Sequence, residues 1–269
     1  MGEAALEVLL RRDRVIVGAA LAALTVAAWF YLLHLASAMS DMAMPDMPTM
    51  PGMAMSMLSM RAWSWVELGV LVVMWTVMMI AMMTPAAAPM ILMFSTIHRR
   101  RTAEGRPAVP TAIFILGYLV VWTIYSVVAA LAQAGLHSAA LLSPVMAATS
   151  PLLTGGLLVA AGVFQWTPLK RACLAACRSP LSFLMTGWRE GRAGAFVMGF
   201  RHGLYCLGCC WVLMALLFVA GVMNLLWIAV LAVAVLVEKV VPRGDLVGRL
   251  AGVVLVAAGV LLVARGVID

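Results

Sequence analysis

The sequence predicts an all-α protein: a polytopic transmembrane helical bundle of about seven spans, with the N-terminus inside and the C-terminus outside. Three observations predict this class. Of the 269 residues, 65% are hydrophobic and only 11% are charged, against about 25% charged in an average soluble domain. Several apolar runs reach the roughly 20 residues that a bilayer core demands. Arginines and lysines concentrate between alternate runs, which is the bias of cytoplasmic loops.

Residues 1–36 are predicted to form an N-terminal anchor helix. Their apolar run, 15–36, follows three arginines. Because the run is longer than the roughly 7–15 residues of a signal-peptide core, we expect an anchor that is not cleaved. The small residues at 36–38 leave cleavage as the alternative. In both cases the segment that follows lies outside.

Residues 37–62 are predicted to form a methionine-rich outer loop. The stretch 39–60, MSDMAMPDMPTMPGMAMSMLSM, holds nine methionines and three prolines. Thioethers are soft ligands that favour Cu(I) over harder divalent ions, and they bind metal without losing a proton. The spacing of the methionines allows two or three sulfurs to reach one ion; the candidates are Met44, Met47, Met50 and Met53. A low-complexity linker is the alternative.

Residues 63–269 are predicted to form the helical membrane domain. With the anchor included, the predicted spans are 15–36, 63–94, 112–133, 152–166, 195–222, 225–237 and 246–264. Between the fourth and fifth spans lie one Thr-Pro pair, at 167–168, and one Ser-Pro pair, at 179–180. Each is typical of an N-cap followed by proline at the first helical position. They predict amphipathic helices at about 168–190, at the inner surface. Glu238 and Lys239 end the sixth span, and we expect their side chains to snorkel to the interface.

The basic residues indicate the orientation. With the N-terminus inside, Arg61 and Arg265 are the two of the 18 lysines and arginines that fall outside. The bias holds at every inner loop, so one span more or fewer would scramble it. It also accounts for the net charge of +7 without nucleic acid, for which the sequence shows no binding motif.

Methionines recur within the second span. Met78 and Met82 share one face of the predicted helix with Met74, and Met79 and Met83 lie beside them. Methionine is ordinary packing material in helices, and packing is the stronger interpretation of this row taken alone. Next to the methionine-rich loop, the row becomes a candidate path lined by sulfur.

The fifth span carries a histidine and three cysteines. His202, Cys206 and Cys210 are four residues apart, and Cys209 lies one turn beyond Cys206. Ionisable side chains within a span usually face the bundle interior, and a soft metal ion offsets the cost of burying thiols there. The pattern predicts a metal site, with inert buried cysteines as the alternative.

A second thiol pair, Cys173 and Cys177, is spaced for one face of the first inner helix. It is expected to bind metal jointly with the thiols of the fifth span or to serve as a hand-off point. Both cysteines lie on the reducing side, where disulfides are disfavoured. Sulfur-rich ligand sets indicate Cu(I) as the metal, while sets of thiolate and imidazole also suit zinc.

Three stretches resemble a known family: MMIAMMTPAAAPMI, QWTPLKRACLAACRSPLSFL and GFRHGLYCLGCCWVLMALLFVAGVMNLLW. The family is one of bacterial predicted metal-binding integral membrane proteins, otherwise described as a domain of unknown function. The resemblance covers about residues 63–242, and the stretches with cysteine are its specific part. It implies a helical membrane fold and metal binding, and it supplies no defined activity.

These features together predict a multi-pass protein of the bacterial inner membrane that binds a soft metal ion, Cu(I) first, for transport or for delivery. The expected partners are the lipid bilayer, the metal ion, and a membrane metalloenzyme or periplasmic copper protein. One alternative is a membrane thiol–disulfide oxidoreductase using Cys206/Cys209 and Cys173/Cys177. A second alternative is a subunit of a copper-dependent membrane oxygenase, although the four histidines of the chain are scattered.

Overall fold

The chain forms a bundle of α-helices in the computed structural model, which describes residues 3–42, 64–106, 109–139, 141–142 and 150–268. The helices are α1 Glu3–Met42, α2 Trp65–Ala103, α3 Thr111–Ser138, α4 Pro151–Phe164, α5 Pro168–Arg178, α6 Pro180–Gly187, α7 Gly191–Ala215, α8 Leu217–Ala220, α9 Leu225–Val240 and α10 Gly244–Ile268. The ranges described contain no β-strand, so the predicted all-α class is confirmed. Because α1 ends at Met42, the first residues of the methionine-rich segment are helical, and 43–63 lie outside the described residues.

Among the described residues, five helical stretches are long and apolar enough to cross a membrane: Arg12–Ala38, Trp65–Ala103, Thr111–Ser138, Gly191–Ala220 and Gly244–Gly266. A sixth is obtained if α4 and α5, which bend by 61° at their junction, form one span. The prediction of seven spans counts α4 and α9 separately, yet they have 14 and 16 residues. At 1.5 Å per residue these helices reach about 21 and 24 Å, short of a hydrocarbon core of about 30 Å. The count of seven therefore stays a prediction.

The start of α5 is determined by local capping. The Thr167 hydroxyl accepts a hydrogen bond from the backbone N–H of Lys170, and Pro168 occupies the first helical position, where its missing N–H costs nothing. The following helix, α6, begins at Pro180 and ends at Gly187. Both helices begin where the sequence predicts. The position of this pair at the inner membrane surface stays a prediction.

Glycines let α3 and α7 pack with their backbones in contact. A Cβ atom at Gly117 would lie 2.2 Å from the carbonyl oxygen of Phe196, and one at Gly199 would lie 1.9 Å from that of Phe114. Gly203 follows Gly199 at the four-residue spacing that allows close approach of membrane helices. This contact fixes the register of α7, and with it the height of every side chain that α7 carries.

The helices differ in how much of their surface the bundle covers. α2 contacts α1, α3 and α9, whereas α7 contacts α3, α4 and α5. In the most apolar windows, 56% of α7 and 44% of α2 are buried, against 17% of α1 and α10. The outer helices expose large apolar side chains such as Phe30 and Leu261, as a surface in contact with lipid requires. The buried centre lies where α2, α3, α7 and α9 meet.

Candidate metal centre

One imidazole and three thiols lie along the buried side of α7. Cys206, Cys209 and Cys210 have no exposed surface, and His202 is 2% exposed. Neither ring nitrogen of His202 has a hydrogen-bond partner among the described residues, and the ring packs on that of Tyr118 with centroids 5.5 Å apart. A buried polar atom without a partner is destabilising. His202 is therefore a candidate for a functional role rather than for packing.

The cysteines of α5 meet those of α7. The thiol of Cys177 interacts with the thiols of Cys206 and Cys209, and the thiol of Cys210 interacts with the same two. We call Cys177, Cys206, Cys209 and Cys210 the thiol cluster. All four are free cysteines, and Cys177 is the partly exposed member while the other three are buried.

Cys173 lies beside the thiol cluster, against the backbone of α7. A Cβ atom added at Gly208 would lie 2.7 Å from the Cys173 sulfur. The glycine in the sequence Cys206-Leu207-Gly208-Cys209 is thus what allows α5 to approach α7 at this height. The sequence Cys206-Leu207-Gly208-Cys209 therefore provides both the thiols and the glycine at which α5 contacts α7.

Helices α2 and α3 close the thiol cluster from the other side. The Met83 sulfur lies 4.0 Å from the Cys210 sulfur. The Tyr118 hydroxyl donates a hydrogen bond to the Met83 carbonyl oxygen at 3.1 Å and lies 3.2 Å from the Cys206 sulfur. Because Met83 and Tyr118 are buried, this side of the cluster is sealed from water, and polar interactions there are strengthened.

A buried ammonium group completes the surroundings. The Lys239 Nζ atom donates a hydrogen bond to the Cys206 sulfur at 2.8 Å. The residue before it, Glu238, forms an ion pair with Lys170 at 2.7 Å. The expected snorkelling of Glu238 and Lys239 to the interface is wrong, because the two residues are 3% and 8% exposed. Each finds a partner inside the bundle, Lys170 for Glu238 and Cys206 for Lys239.

The thiols of Cys209 and Cys210 form hydrogen bonds with the backbone of their own helix, α7. Cys209 and Cys210 each donate a hydrogen bond to the Cys206 carbonyl oxygen, at 3.1 and 3.0 Å. Within the described ranges, no three His, Cys, Asp or Glu side chains surround a common point as metal ligands do. Cys177 and Cys206 are a pair of neighbouring thiols carried by two different helices.

The methionine row of α2 meets the thiols at a position other than the two predicted. Met78 and Met82 are fully buried, but the thioether in contact with a thiol is that of Met83. A relay through Met78 and Met82 stays a prediction. The four loop methionines lie outside the described residues: Met44, Met47, Met50 and Met53.

Two residues of the site were missed by the sequence reasoning. Tyr118 carried no signal, since a tyrosine within a span is unremarkable in isolation. Lys239 carried a weak one, because Lys170 and Lys239 are the two lysines among 18 basic residues. Both lysines are buried.

The apolar helices and the buried thiol cluster define the class of protein, which is a helical membrane protein with free thiols at its centre. A family model described as copper chaperone, PpoB2, matches residues 72–262. Because the match covers well over half of the chain, the protein belongs to this family of copper chaperones. Comparisons with curated proteins and with solved structures give no match. The family supports copper handling in general terms, and the matched range contains every residue of the thiol cluster.

Proposed function

We propose that the protein is a membrane-embedded chaperone that holds Cu(I) in the thiol cluster and delivers it to a partner metalloenzyme or copper protein. The observation that carries the proposal is the meeting of cysteines from two helices in the buried centre of a member of the copper chaperone family. Thiolate sulfur is a soft ligand that favours Cu(I) over harder ions. The sealed surroundings keep water from competing for the metal.

Transfer of the cargo begins, in this proposal, at Cys177. It is the partly exposed member of the thiol cluster, whereas Cys206, Cys209 and Cys210 are buried. An incoming ligand of the partner protein replaces Cys177 at the metal while a second thiolate still holds the ion. The two steps of ligand exchange never leave Cu(I) without sulfur, which suits delivery without release into solution.

The proposed topology places this cluster behind an outer collecting segment. Seven spans with the N-terminus inside put the methionine-rich segment 39–60 at the outer face of the bacterial inner membrane, where its thioethers capture Cu(I). Met78 and Met82 would relay the ion along α2 toward Met83, whose sulfur contacts the thiol cluster. The positive-inside distribution of arginine supports this orientation.

Metal analysis of the full chain tests the proposal. The protein, purified under anaerobic reducing conditions and loaded with Cu(I), is expected to contain copper and chain in equal amounts, with sulfur neighbours in X-ray absorption spectra. The double variant Cys206→Ser, Cys209→Ser is expected to lose the tightly bound fraction. A matched control is Met74→Leu, Met90→Leu, which also removes two buried sulfurs but at positions about 13 and 10 Å along α2 from Met83. Loaded wild-type protein without copper would contradict the proposal, and bound zinc with mixed sulfur and nitrogen ligands would identify the other metal.

The contact of Cys177 with Cys206 and Cys209 also favours a second function, thiol–disulfide exchange. Thiolate attack on a substrate disulfide would form a disulfide within the cluster and leave the substrate as a dithiol. This function predicts a Cys177–Cys206 or Cys177–Cys209 crosslink, detectable by mass spectrometry after rapid acid trapping in cells. A copper chaperone predicts trapped free thiols and bound copper instead.

A further inference from the structure

The two lysines of the chain occupy special positions. The other basic residues are sixteen arginines, 18 basic residues in all. Lys170 and Lys239 are 2% and 8% exposed, and both lie next to the thiol cluster or its supporting helices. Lysine is a compact point charge with rotatable donors, whereas arginine is a wide planar fork. A single cation that must fit against one sulfur atom is better provided by lysine.

In the part of the chain that the structure describes, one buried cation has no carboxylate partner. Lys170 and Glu238 form an ion pair with nitrogen and oxygen 2.7 Å apart, and together they are neutral. Lys239 has the Cys206 sulfur at 2.8 Å, and among the described residues it forms no ion pair with an Asp or Glu side chain. Burying an ammonium group without an anion is strongly unfavourable. The surroundings of the thiol cluster are therefore built for a net charge of −1.

We propose that Lys239 is the counter-ion of a Cu(I) ion held by two thiolates, and that it determines which metal complex the site accepts. This inference rests on the proposed function. Cu(I) with two thiolates carries a charge of −1, which Lys239 neutralises. Zn(II) with four thiolates carries −2 and would leave a buried excess of −1.

Charge balance alone also admits Zn(II) with three thiolates and a neutral imidazole. Zinc takes four ligands in tetrahedral arrangement, whereas the part of the chain described has no three such side chains around a common point. Two-coordinate Cu(I) needs one pair of neighbouring thiols, and Cys177 with Cys206 is such a pair. The geometry favours the dithiolate, with Lys239 as its partner of opposite charge.

The test compares Lys239→Leu with wild type in the full chain. Leucine keeps part of the buried apolar stem and removes the charge, and unlike methionine it adds no soft ligand next to Cys206. Arg243→Leu is the matched control, since it removes one positive charge from an exposed position four residues further on. Cu(I) affinity is measured anaerobically by competition with a chromophoric Cu(I) chelator, and Zn(II) affinity with a zinc-sensitive dye.

Lys239→Leu is expected to lower Cu(I) affinity at least tenfold, while Arg243→Leu leaves it within the error of the measurement. Unchanged Cu(I) affinity in Lys239→Leu, with wild type binding copper, would overturn the inference and leave the proposed function intact. Wild type that binds no Cu(I) would instead overturn the proposed function. If Lys239→Leu does not fold, X-ray absorption of copper-loaded wild type decides: two sulfur neighbours support the dithiolate, and three or four overturn it.

Discussion

Met83 is the residue through which α2 touches the thiol cluster, with its sulfur 4.0 Å from that of Cys210. Met83→Leu keeps the buried volume and costs less than about 1.5 kcal/mol in folding stability, but it removes a polarisable thioether that packs against the thiols without being a ligand of the two-coordinate copper. We expect Cu(I) affinity to fall about fivefold, or ~1 kcal/mol, in chelator competition. Met90→Leu, two turns along the same helix, is the control and should bind as wild type does. Equal affinity in the two variants would remove Met83 from the site.

Glu238 is the residue on which the charge balance of the centre depends, because it neutralises Lys170. Glu238→Gln leaves a buried ammonium group unpaired and is expected to destabilise the protein by about 3–5 kcal/mol. Glu190→Gln, which breaks a half-exposed pair with Arg101, should cost at most about 1 kcal/mol. Unfolding in detergent by denaturant measures both.

Replacement of the whole buried pair separates charge from packing. In Lys170→Met, Glu238→Leu no uncompensated charge remains, so stability is expected to return close to that of wild type. A double variant as unstable as Glu238→Gln would show that the pair contributes hydrogen bonds or shape that apolar side chains cannot replace. Gln165, to which Lys170 also donates a hydrogen bond, would then be the partner to vary next.

At the scale of helices, spacing within one helix could be predicted and contacts between helices could not. The 3.6-residue period places His202, Cys206 and Cys210 on one side of α7, and all three are buried. The sequence around each residue does not predict that Cys177 of α5 lies against Cys206, or that Lys239 of α9 lies against Cys206. Those contacts follow from the bend between α4 and α5 and from helix packing, which depend on the whole chain.

The same distinction explains the error at the end of α9. A Glu-Lys pair at the end of an apolar run is typical of interfacial snorkelling, because sequence alone shows water as the nearest polar partner. In the bundle, Lys170 and the Cys206 sulfur are nearer. The methionine row of α2 was predicted from the sequence, but the residue in contact with a thiol was not. That residue is Met83 rather than Met78 or Met82.

Gly208 is the point at which α5 docks on α7, so its replacement tests how the two helices are held together. In Gly208→Ala the new Cβ atom would lie 2.7 Å from the Cys173 sulfur, and overpacking of this kind costs about 1–3 kcal/mol. We expect lower stability and weaker Cu(I) binding, since Cys177 is carried on the same helix. Gly156→Ala, where a Cβ meets nothing within 4 Å, should be neutral or slightly stabilising.

A second substitution shows whether the clash with Cys173 is the cause. Cys173→Ala in the Gly208→Ala background removes the sulfur that the new methyl group meets, and stability is expected to recover. Copper binding should recover with it, because Cys173 lies beside the thiol cluster rather than within it. Recovered stability without recovered copper binding would make Cys173 itself a ligand.

On the scale of the whole molecule, the arginines and the two lysines are distributed differently. Arginines lie mainly in the segments expected inside, where the membrane requires them, and the two lysines are buried beside sulfur. The family match begins at residue 72, beyond the methionine-rich segment. The matched region is therefore the part that carries the thiol cluster, and the methionine-rich segment adds a function of its own in our proposal.

The orientation of the chain is the last prediction, and reporter fusions measure it. A phosphatase fused after Asp269 is expected to be active and a green fluorescent protein there dark, because the seven-span arrangement places the C-terminus outside. Fusions after Gly105, in the turn between α2 and α3, should give the reverse result. Five or seven spans put the two termini on opposite sides of the membrane, whereas six, with α4 and α5 as one bent span, put them on the same side. A fluorescent C-terminal fusion combined with an inner N-terminus would therefore exclude the seven-span arrangement, while the methionine-rich segment, which follows the first span, would still lie outside.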